Sequence, residues 1–102
     1  MYLLYLTPPM TGKTTKAQQL KAYFNADEVI ELETLRTTSR AARRRLHQKK
    51  NVLVLATPED DLSTLDGTAY EKLTNRVCND AMVAVGGYPI WNQDGTRYKV
   101  KA

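Results

Sequence analysis

The chain has one cysteine, one histidine, one tryptophan and one phenylalanine among its 102 residues. A single cysteine, Cys78, excludes an intramolecular disulfide scaffold and suits a reducing interior. A single histidine, His47, has no Cys, His or Asp at ligand spacing, so a metal site is not expected there and a surface location is. No apolar run approaches the ~18 residues of a membrane helix. Residues 1–6 lack a basic flank and run at once into Pro8 and Pro9, which is not the pattern of a signal peptide. The chain therefore reads as cytoplasmic, with no membrane partner. Neither an internal repeat nor a low-complexity linker is visible, and residues 1–102 read as one domain.

What is present is globular composition, 42% apolar and 25% charged. A chain this short buries only ~60–65% of its unfolded surface, so the core is real but small. The net charge of +4 hides blocks of opposite sign. Residues 25–35 carry −4 and residues 51–71 carry −5 with no base. Between them, residues 36–50 carry +7 with no acid. Basic charge at a defined place is a narrower statement than the pI of 9.3, which by itself hints at nucleic acid.

Residues 2–6 form an apolar run that fits a strand buried on both faces, ended by Pro8 and Pro9. Residues 13–24 read as a helix, with Ala17, Leu20 and Phe24 on one face and Asn25 closing it. A second, acid-interleaved strand is expected over 29–32. Residues 35–50 read as helix or loop, a helix there taking Ser39 as N-cap, Ala42 and Leu46 as a thin apolar stripe, and Lys49 and Lys50 at its negative end. Residues 52–56 (Val-Leu-Val-Leu-Ala) are the strongest strand. A polar loop over 57–67 leads to a helix over 69–85, striped by Tyr70, Leu73, Val77, Ala81 and Val85 and stopped by Gly86-Gly87. Residues 88–91 and 97–100 alternate around an Asp94-Gly95 turn, a hairpin signal. The alternation predicts a small two- or three-layer α/β fold with a parallel sheet, β-α-β-α-β-α with a C-terminal β-hairpin.

Residues 7–15 lie between the first strand and the first helix. Gly12-Lys13-Thr14 matches the end of the phosphate-loop pattern in its expected strand–helix context, with Thr7 at the first glycine position. In such a loop successive backbone N–H groups, here from Met10, Thr11, Gly12, Lys13, Thr14 and Thr15, hold a phosphate. Lys13 reaches the outer phosphates and Thr14 ligates Mg²⁺. Pro8 and Pro9 precede these donors, so their missing N–H groups do no harm. Threonine and methionine resist glycine-type φ by ~1–2 kcal/mol, which predicts a reshaped nest. The plain alternative is a proline turn followed by an ordinary helix start.

The whole stretch resembles the Gly-Pro-Pro-Gly-Thr-Gly-Lys-Thr-Thr loops of P-loop NTPases, with Thr7 and Met10 in place of the outer glycines. The resemblance implies a minimal P-loop-like domain that binds a nucleotide such as ATP or GTP, with Mg²⁺ as its cofactor.

Two further stretches resemble P-loop kinases of the polynucleotide kinase and zeta-toxin type. Glu33-Thr34-Leu35-Arg36 looks like their Asp-x-x-Arg substrate element. Residues 50–57 look like their later strand, Asn-Val-Ile-Val-Asp-Ala-Thr, with Leu55 where they carry Asp. By resemblance, Glu33 is the candidate base, Arg36 the substrate clamp and Lys13 a catalytic group. Glu59, Asp60 and Asp61 follow a few residues after that strand. Their bland reading is a solvated loop with a helix cap.

The basic block leaves three readings open. Arg36, Arg40, Arg43, Arg44 and Arg45 can clamp a transferring phosphate, with Arg40 or Arg43–45 stabilising charge. They can contact a nucleic-acid backbone or an acidic protein, which makes the chain a non-enzymatic regulator or inhibitor. Or they form a solvated face. Trp91, Tyr88 and Tyr98, interleaved with Arg97, Lys99 and Lys101, fit base stacking and sheet packing equally well. Cys78 adjoins its helix's apolar stripe and reads as a packing residue.

Overall fold

The computed structural model describes residues 1–8 and 14–97. Two five-residue apolar strands, β1 (Tyr2–Leu6) and β3 (Val52–Ala56), are buried at every position. They lie side by side and parallel, from Tyr2 opposite Val52 to Leu6 opposite Ala56. β2 (Glu28–Glu31) flanks β3 and β4 (Tyr70–Lys72) flanks β1, giving one all-parallel sheet in the order β2-β3-β1-β4.

Successive strand residues point to opposite faces, so a continuous apolar run needs cover on both. On one face Leu4, Leu6, Val52 and Val54 pack with Leu32 and Leu35 of α2 (Leu32–Thr37). Leu46 of α3 (Arg40–His47) and Leu65 of a 3-10 turn (Leu62–Leu65) complete that layer. On the other face Leu3, Tyr5, Leu53 and Leu55 pack with Leu20 of α1 (Ala17–Tyr23). Cys78, Ala81 and Met82 of α4 (Asn75–Ala84), together with Ile90, close that side. The fold is a three-layer α/β/α sandwich.

Several expected boundaries move. The helix expected over 13–24 starts at Ala17, and Asn25 closes it at φ 52°. The second strand ends at Glu31, and Leu32 already belongs to α2. The stretch 35–50, read as helix or loop, falls in two helices. Thr38 and Ser39 are extended between them, the Thr38 hydroxyl donates to the Thr34 carbonyl at 2.6 Å, and Ser39 Oγ accepts from the Ala42 amide at 3.2 Å. A side-chain cap and back-bonding hydroxyls offer the backbone partners other than a continuing helix.

The helix expected over 69–85 starts only at Asn75, capped by Thr74 Oγ1 on the Val77 amide at 3.2 Å. Its first residues form β4 instead. The open edge of β1 takes them: Tyr2 N–H donates to the Ala69 carbonyl at 3.2 Å and Leu73 N–H to the Leu4 carbonyl at 3.0 Å. Ladder bonds to a buried strand outweigh helical spacing in three residues. Gly86 at φ 89° ends α4, with Gly87 N–H on the Met82 carbonyl at 2.8 Å.

Of the expected hairpin, the described residues show the turn and one bridge. Trp91 and Arg97 form an isolated antiparallel bridge around Gly95 at φ 86°, residues 88–90 are not a strand, and residues 98–100 lie outside the described part.

Candidate functional site

The connection leaving β1 runs over the α1 face to β2, past β3. The connection leaving β3 runs over the opposite face to β4, past β1. Connections that travel opposite ways along the sheet on opposite faces share one crossover hand. They also part between two neighbouring strands. The carboxyl ends of two neighbouring strands whose connections part in this way are the place where open α/β sheets take ligands; here they are the ends of β1 and β3. Thr7 follows β1 and Thr57 follows β3 at this edge.

Thr7 extends the ladder past β1, its N–H on the Ala56 carbonyl at 3.0 Å, and is fully buried. It keeps a negative φ, since among the described non-glycine residues only Asn25 is positive. Threonine at the first glycine position is therefore unstrained. Met10, Thr11, Gly12 and Lys13 lie outside the described residues. The far end of the connection is described: Thr14 Oγ1 donates to Glu31 Oε1 at 2.7 Å. Thr14 and Thr15 are exposed, and the Ala17 amide donates to the Thr14 carbonyl at 3.3 Å.

Glu31 is a candidate site residue that the sequence pattern did not single out. A strand over 29–32 makes it an interior residue. The structure makes it the last residue of β2, opposite Leu55 of β3. Its signal was available in the rule that ligands sit past the carboxyl ends of parallel strands, once the strand ended one residue earlier.

Glu33 and Arg36 follow on α2 and face each other, Arg36 Nη2 to Glu33 Oε1 at 3.8 Å. Both are exposed. With Leu32, Asp60, Asp61 and Thr64 they line a cavity of about 190 Å³. Asp60 and Asp61 form turns and a cap, in line with the bland reading of their loop. Asp60 Oδ2 accepts from the Thr57 amide at 2.9 Å, and Asp61 Oδ1 accepts from the Ser63 amide at 2.9 Å. The Ser63 amide and hydroxyl hold the Asp61 carboxyl below its ordinary value. Among the described residues no three His, Cys, Asp or Glu side chains gather as metal ligands.

The basic block is divided between two helices. The break at Thr38–Ser39 separates Arg36 from Arg40. His47 packs edge-on against Tyr2 with ring centroids 5.4 Å apart, so α3 ends beside the start of β1. Arg40 lies at the opposite end of α3, ~10 Å away at 1.5 Å per residue. Arg44 and Arg45 lie between. Arg40, Arg44 and Arg45 are exposed. Arg43, expected to contact an anion, instead turns inward to the Leu35 and Arg36 carbonyls.

Trp91 does reach the candidate edge. Its indole Nε1–H donates to the Leu6 carbonyl at 3.2 Å, just before Thr7. Asn79 of α4 holds it there, with Oδ1 accepting the Ile90 and Trp91 amides at 2.7 and 2.8 Å and Nδ2 donating to the Trp91 carbonyl at 2.8 Å. Tyr88 is exposed and Tyr98 lies outside the described residues. Cys78 is buried, as expected, and burial pushes its thiol up to about 11.

Compared with protein-family models, curated proteins and solved structures, the chain finds no match in any of the three. Among the described residues no helix is long and apolar enough to cross a membrane.

Proposed function

We propose that the chain binds the phosphates of a nucleotide such as ATP or GTP, together with Mg²⁺, beyond the carboxyl ends of β1 and β3. The observation that carries this reading is the hydrogen bond from Thr14 to Glu31. It ties the end of the Gly12-Lys13-Thr14 motif to the carboxyl edge of the sheet. Backbone N–H groups of residues 10–15 supply phosphate donors and Lys13 supplies charge. A threonine hydroxyl beside a carboxylate is the hard-oxygen pair that Mg²⁺ accepts, so the residues present fit the cation. Glu33 and Arg36, at the neighbouring cavity, are the groups for a substrate hydroxyl if phosphoryl transfer follows.

Thermal unfolding tests the reading, with Mg-ATP, Mg-GTP and inorganic phosphate on wild type and Lys13→Ala. A nucleotide at 100 times its Kd adds ~2.7 kcal/mol to wild type, and Lys13→Ala loses most of this. No stabilisation by any nucleotide rejects it.

A second reading is favoured by one observation. Arg40, Arg44 and Arg45 are exposed, and the ion pair among the described residues involves only Arg36 and Glu33. In that reading the chain is a non-enzymatic binder of nucleic acid or an acidic protein surface through α3. It requires salt-sensitive binding that survives Lys13→Ala and disappears when the three arginines become glutamine.

A further inference from the structure

Resting on the nucleotide reading above, we infer that Glu31 supplies from β2 the carboxylate that β3 lacks, and that it is the acidic partner of the nucleotide's Mg²⁺. Leu55 stands where the kinase-type strand carries its acid. It is 3% exposed, under the layer formed by α1 and α4. A carboxylate there would lose its water with no charge partner, a costly arrangement. Glu31 is level with Leu55 one strand over, on the same face of the sheet, ~4.8 Å away in the hydrogen-bonding direction. On this edge strand it is exposed, so its charge stays solvated.

The polarity of the Thr14–Glu31 contact fits this role. Thr14 Oγ1 donates its hydrogen bond to Glu31 Oε1 and keeps oxygen lone pairs for a cation. Among the described residues nothing donates to Glu31 Oε2, which leaves a second anionic oxygen for a cation or its water. Glu31 orients the hydroxyl and balances the cation's charge, as outer carboxylates do around metal ligands. Glu28, three residues earlier on β2, lies on the α3 face beside Ile30 and takes no part.

Calorimetric titration of ATP, in excess Mg²⁺ and in EDTA, tests this without relying on catalysis. Wild type binds ATP about tenfold or more tighter with Mg²⁺, and Glu31→Gln loses that enhancement to within about twofold. In EDTA Glu31→Gln binds ATP at least as well as wild type, since only an anion has been removed. Glu28→Gln behaves as wild type. Should Glu31→Gln fold poorly by circular dichroism, Glu31→Asp and Glu31→Ala carry the test, the aspartate keeping part of the Mg²⁺ enhancement and the alanine losing it. A Glu31→Gln protein that keeps the full enhancement overturns the role of Glu31 and leaves the nucleotide site standing. A wild type that binds no ATP in either buffer overturns both.

Discussion

Arg43 of α3 lays its guanidinium across the end of α2, donating to the Leu35 carbonyl oxygen from Nε at 3.1 Å and from Nη2 at 2.9 Å. Nη2 also reaches the Arg36 carbonyl, at 3.2 Å. The last carbonyls of a helix have no partner within it. Here a residue of the next helix adds donors to the Leu35 carbonyl, which also accepts from the Thr38 amide at 3.2 Å.

Arg43→Ala is accordingly expected to lower unfolding stability by ~1–3 kcal/mol, the range for hydrogen bonds from a charged group. Arg44→Ala, one position on and exposed, changes it by less than ~0.5 kcal/mol. Arg43→Lys recovers little, because an ammonium lacks the planar fork. Urea denaturation of the three variants checks this.

Asn79→Ala leaves the Ile90 and Trp91 amides without their acceptor and frees the indole from β1. A loss of ~1–3 kcal/mol is expected, the cost of orphaning half-buried donors. Because Trp91 is the sole tryptophan, its emission shifts to the red in the folded variant. Fluorescence before and during urea unfolding reads both effects.

Alkaline pH destabilises the fold through buried acids. Burial disfavours the Cys78 thiolate and raises the group from 9.0 to about 11, and burial likewise raises Tyr5. Between these values the native state binds more protons than the unfolded chain, so stability falls as pH rises. The urea midpoint is constant near pH 8 and declines from pH 9 to 11, whereas Cys78→Ala declines less steeply. A thiol reagent at pH 8 labels Cys78 only after unfolding.

Leu55→Asp, which places an acid inside β3, is expected to unfold the domain. It replaces a core side chain by an unpaired buried carboxylate, a change worth more than ~4 kcal/mol. Circular dichroism at neutral pH checks this. Leu55→Met is tolerated within ~1.5 kcal/mol.

The central strands are legible in the sequence alone. Residues 2–6 and 52–56 are continuous apolar runs, and only burial on both faces accounts for such runs. The Ser39 cap, the Asn25 and Gly86 helix ends and the Asp94-Gly95 turn are legible for a related reason: each is a local backbone preference that neighbouring residues do not override. β4 is not legible. Tyr70, Glu71 and Lys72 carry no strand pattern, and they are extended because β1 offers an unpaired edge that the sequence does not display.

The candidate site divides the same way. The Gly12-Lys13-Thr14 motif and its place after a strand are local facts of the chain. The sequence also determined that seven basic charges lie between two acidic segments. It did not determine their direction. Only tertiary structure turned Arg43 inward onto α2, left Arg40, Arg44 and Arg45 outward and brought Thr14 to Glu31 across 17 positions. A hydrogen bond between such distant residues depends on which strands are neighbours. Strand order is settled by how two apolar faces are covered at once, a property of the assembled sheet and of no single segment.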